Sequence, residues 1–144
     1  MERKVNSKTL VPVYVLAALL AATSVIYFLA STEELPEAGE ETAAALESTL
    51  FIGSGVGYAI IAAWVLAKRA KGSLVPYVVS IAGSVFLIAL YVSSRTFSLP
   101  VVGLQEDIGF LDVSCKVLQG AIIGLATSVL MTNKSLTAKN VIKQ

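Results

Sequence analysis

Residues 10–30 read LVPVYVLAALLAATSVIYFLA, a run without a single charge. A bilayer core about 30 Å thick needs about 20 apolar residues per helix, so this run suffices for one crossing. Arg3, Lys4 and Lys8 precede it, and Glu33, Glu34, Glu37, Glu40, Glu41 and Glu47 follow it. The same alternation repeats along the chain. Lys68, Arg69 and Lys71 separate the second apolar run from the third, and Lys134, Lys139 and Lys143 follow the fourth. Glu106, Asp107 and Asp112 fall at or just inside the start of the fourth run. Short loops rich in Lys and Arg resist translocation and stay in the cytoplasm. The alternation therefore predicts an all-α, polytopic bundle of four transmembrane helices in the plasma membrane, with both termini cytoplasmic.

The expected helices are about 10–30, 42–68, 74–94 and 108–131, in a single transmembrane domain over residues 1–144. An acidic external loop is expected at 31–41 and an apolar external loop at 95–107. The mean hydropathy of +0.77 and the 56% apolar content exceed the roughly half that is usual for soluble domains. The first run is longer than the roughly 7–15 residues of a signal-peptide core, so it is expected to be retained as a helix.

Residue types narrow the chemistry. The chain has no His and one Cys, Cys115. Copper, haem and zinc sites are built mainly from His or several Cys, and a Ser/His/Asp triad requires His. No catalytic residue, cofactor or metal is expected. The glutamate segment lacks the spacing of a calcium loop and reads as a solvated stretch. No nucleic-acid partner is expected; the expected partners are the lipid bilayer and other membrane protein subunits.

The second run carries Gly53-Ser54-Gly55-Val56-Gly57. No strand precedes it, so it does not fit a phosphate-binding loop. Gly53 and Gly57 make a GxxxG pair of the kind that admits a second helix closely, and Gly120 and Gly124 make another in the fourth run. The fourth run also holds Asp112, Lys116 and Gln119. Asp112 and Lys116 are four apart and share a helix face. Ionisable groups inside a span face the bundle or a partner. With Arg95 these residues are expected to form a structural polar clasp between helices three and four. The competing reading makes the same face part of a proton or solute path.

The segment Tyr91-Val92-Ser93-Ser94-Arg95-Thr96-Phe97-Ser98-Leu99-Pro100, then Gly109-Phe110-Leu111-Asp112 and Leu118-Gln119, resembles small four-helix membrane proteins of bacteria and archaea. These carry a Ser-Arg-Thr-x-x-Leu-Pro loop before the last helix, then Gly-x-x-Asp, and often a Glu inside that helix, near which Gln119 stands here. The resemblance implies the fold and names no chemistry. In size and topology the chain also looks like an accessory subunit of archaeal ammonia monooxygenase, a copper membrane complex. That likeness implies a non-catalytic subunit whose copper ligands lie on other chains. The alternatives are a small transporter or channel using the polar face of helix four, and a membrane sensor with an outer ligand vestibule.

Overall fold

Inside a bilayer the backbone has no water to bond, and a helix satisfies its N–H and C=O groups within one segment. The computed structural model describes residues 7–33, 41–68, 73–96 and 109–141. There the apolar runs become α1 (Ser7–Glu33), α2 (Glu41–Lys68), α3 (Val75–Thr96) and α4 (Phe110–Val141). Each contains a span long and apolar enough to cross a membrane: Leu10–Thr32, Ala45–Lys68, Val75–Thr96 and Phe110–Thr132. The chain is a multi-pass membrane protein built as a helix bundle.

The helices run beyond the expected segments, α2 by a single residue. α1 begins three residues early, so Pro12 lies inside the helix rather than in its first turn. α3 reaches Thr96, which puts Arg95 on a helix instead of in the apolar loop. α4 continues ten residues past Met131, because neither Gly nor Pro follows Gly124 to stop it. Residues 34–40 and 97–108, which hold most of both expected external loops, lie outside the described residues.

The helices meet in chain order around a four-cornered bundle, α1 against α2, α2 against α3, α3 against α4, and α4 back against α1. The α1–α2 contact is the most extensive and α2–α3 the least. The Ser24 hydroxyl donates to the Gly55 carbonyl at 2.7 Å, and the Ser48 hydroxyl donates to the Ser31 carbonyl at 3.3 Å. Moving seven residues up α1 thus moves seven residues down α2, an antiparallel register.

Leu16, Leu20, Val65 and Ile122 are fully buried at the centre. Buried hydroxyls bond back to their own helix one turn earlier, Thr23 to Leu19 O at 2.8 Å and Ser80 to Pro76 O at 2.7 Å. This local bonding spares polar groups an unpaired burial. The outer surface shows Val11, Ile60, Val78, Phe86 and Val117. In water so much exposed apolar surface invites association; against acyl chains it is the matching surface.

Candidate functional site

Polar side chains gather where late α1, early α2, late α3 and early α4 meet, the acidic end of the bundle. Arg95 sits in the last turn of α3 and Asp112 in the first turn of α4. Arg95 Nη2 lies 3.0 Å from Asp112 Oδ2, with the two side chains 16% and 31% exposed. The clasp between helices three and four is therefore made by Arg95 and Asp112.

Lys116 does not join it as sequence spacing implied. Its ammonium sits over the Tyr91 ring at 4.6 Å and the Tyr27 ring at 6.0 Å. Sharing a helix face with Asp112 is not enough, because the carboxylate turns across the helix gap to the guanidinium, whose planar fork matches it. The Arg95 guanidinium also covers the Tyr91 ring, at 4.8 Å, so Tyr91 has two cations against its ring.

Gln119 is fully buried and ties α4 to α1: its Nε2 donates to the Tyr27 hydroxyl at 2.8 Å. Its Oε1 has no partner. Tyr27 stacks on Tyr58 of α2 at 5.8 Å and 13°, and the Tyr58 hydroxyl and Ser84 Oγ of α3 share a hydrogen bond at 2.9 Å. Four helices are thus linked through Gln119, Tyr27, Tyr58 and Ser84. Sequence reasoning found Gln119 and missed the other three. A tyrosine deep in an apolar span was the available signal, since a buried phenol needs a partner for its hydroxyl.

Between α2 and α3 lies a cleft of about 690 Å³. Gly53, Gly57 and Ile61 form one wall, and Gly83, Phe86 and Leu90 the other. Tyr27 and Cys115 reach it from α1 and α4. Glu47, Asp112 and Lys116 line its acidic end, and the remaining lining is almost entirely apolar.

The glycines divide sharply. A Cβ added at Gly53, Gly57, Gly120 or Gly124 meets nothing within 4 Å. None of the four brings two helices of this chain together, contrary to the intrachain form of the packing expectation. Gly53 and Gly57 face the cleft, and Gly120 and Gly124 face outward. The close approach is at Gly55, where a Cβ would lie 3.2 Å from the Phe28 ring and 3.2 Å from the Ser24 carbonyl oxygen.

Among the described residues no group of three His, Cys, Asp or Glu could hold a metal ion. No protein family, curated protein or solved structure matches the chain. Fold and site together define a multi-pass helix bundle with a polar clasp at one end and an apolar cleft between two of its helices.

Proposed function

We propose that the chain is a non-catalytic integral membrane subunit that packs against a larger membrane complex through the outward face of α4. One observation carries this. Val117, Gly120, Ala121, Gly124, Thr127, Ser128 and Met131 are all exposed and recur at helical spacing. The middle of that stripe is small, and both its glycines have open space where a Cβ would stand. The outward stripe of α3 has Ala82 and Ala89 but no glycine, and is otherwise made of Val75, Val78, Val79, Val85, Phe86 and Val92. Lipid chains have no need of a flat surface, whereas a partner helix uses small residues to bring its backbone close.

The charge alternation supports a plasma-membrane location with both termini in the cytoplasm. In a Cys115→Ala background, an impermeant thiol reagent applied to intact cells should label Ala38→Cys and spare Ser73→Cys. The reverse pattern would overturn that orientation.

The docking face is tested by purification from native membranes in mild detergent. Wild type should carry its partner subunits with it. Gly120→Leu and Gly124→Leu should lose them while melting at the wild-type temperature, since neither glycine touches the chain's own helices. Copper-bearing subunits among the captured chains would place the protein in the ammonia monooxygenase assembly that the sequence resemblance names. A wild-type chain that purifies alone and conducts protons or solutes in proteoliposomes would replace this reading with the transporter.

A further inference from the structure

We infer that the α2–α3 cleft is a binding site for one anionic membrane lipid, its acyl chain between the helices and its phosphate at Lys116. This goes beyond the docking role of α4 and uses a different face. The volume of about 690 Å³ falls within the roughly 300–1,000 Å³ of small-ligand sites. Phe86 lines the cleft and is 65% exposed on the outer surface. The opening is therefore sideways, toward the bilayer, and a lipid enters without leaving the membrane.

The polar end selects the headgroup. Asp112 turns to Arg95 at 3.0 Å rather than to Lys116. Among the described residues, the Lys116 ammonium lies over the faces of Tyr91 and Tyr27, and no carboxylate comes within ion-pair distance of it, although Asp112 and Glu47 line the same end of the cleft. An ammonium facing an apolar cleft attracts an anion strongly, because charge-assisted hydrogen bonds are the strong ones and the surroundings are poorly solvated. A lipid phosphate supplies that anion, and its chain covers the glycine walls. Glu47 lines the same end and opposes an anion, which gives the test a control of opposite sign.

Native mass spectrometry of the full chain, released from micelles doped with equal phosphatidylglycerol and phosphatidylcholine, reads the occupant. The wild type should retain one phosphatidylglycerol, preferred about tenfold, the factor that corresponds to about 1.4 kcal/mol. Lys116→Met should erase the preference, Lys116→Arg should keep it, and Glu47→Gln should raise it. Gly57→Leu, which projects a side chain into the cleft, should weaken retention of both lipids at an unchanged melting temperature. Equal retention of the two lipids, a preference that survives Lys116→Met, or full retention in Gly57→Leu would overturn the assignment. So would competition by inorganic phosphate alone, which would indicate a free-anion site. A protein chain released by Gly57→Leu, with no lipid retained by the wild type, would give the cleft to a partner helix.

Discussion

The two flanks of α2 meet opposite fates. Toward α1, Gly55 lets the backbones close until the Ser24 hydroxyl reaches the Gly55 carbonyl. Toward α3, Gly53 and Gly57 face a cleft with nothing within 4 Å of a Cβ position. At 3.6 residues per turn, Gly53 and Gly57 lie about 40° apart and Gly55 about 160° from either. One five-residue run therefore supplies a sealed interface on one side and an open one on the other. A glycine pattern in a membrane helix tells where a backbone can be approached. What approaches it depends on the neighbouring helix.

The open flank survives because α3 is held from the other side. Arg95–Asp112 fastens α3 to α4, and among the described residues the Tyr58–Ser84 hydrogen bond is what reaches α3 from α2. The comparison breaks if that attachment is wrong. Asp112→Asn should cost the most, because it breaks the ion pair that fastens α3 to α4. The loss should fall between the about 0–1 kcal/mol of an exposed pair and the about 3–5 kcal/mol of breaking a buried one, given the side-chain exposures of 16% and 31%. Lys116→Met should cost less than Asp112→Asn, at most about 2 kcal/mol, the scale of a desolvated cation–π contact. Thermal melts of the two variants in the same detergent check this. A larger loss for Lys116→Met would return Lys116 to the clasp.

A smaller effect sharpens the contrast. Ser24→Ala and Ser84→Ala each remove one interhelical hydrogen bond, which within a membrane averages about 0.6 kcal/mol. Ser24→Ala should leave α1 and α2 in contact, because Phe28, Gly55 and the surrounding side chains still pack. Ser84→Ala should widen the cleft, because little else joins α2 to α3. Spin-label distances between α2 and α3 should lengthen in Ser84→Ala, and those between α1 and α2 should not change in Ser24→Ala.

The spans and their number were legible in the sequence, since four apolar runs of bilayer length, three of them uncharged, admit few other readings. Their ends were less so: α4 runs on through Lys134 and Lys139 because charge ends a span without ending a helix. Within the site, Arg95 and Asp112 were legible as members of one clasp, with Arg95 expected in the loop and Asp112 matched to Lys116. Lys116 was misplaced because i,i+4 spacing reports only one helix. Tyr27, Tyr58 and Ser84 come together from three helices, and no local spacing encodes that meeting. The cleft is likewise a property of how α2 and α3 diverge.

Gly55→Leu and Gly57→Leu, melted side by side, test the division of α2 most directly. A side chain at Gly55 must displace the Phe28 ring and the α1 backbone, each 3.2 Å from its Cβ. Overpacking of this kind costs about 1–3 kcal/mol. The Gly57 side chain extends into the cleft and displaces no protein atom within 4 Å of its Cβ. Gly55→Leu should therefore melt clearly below the wild type while Gly57→Leu melts with it; equal losses, or the larger loss at Gly57, would contradict the account.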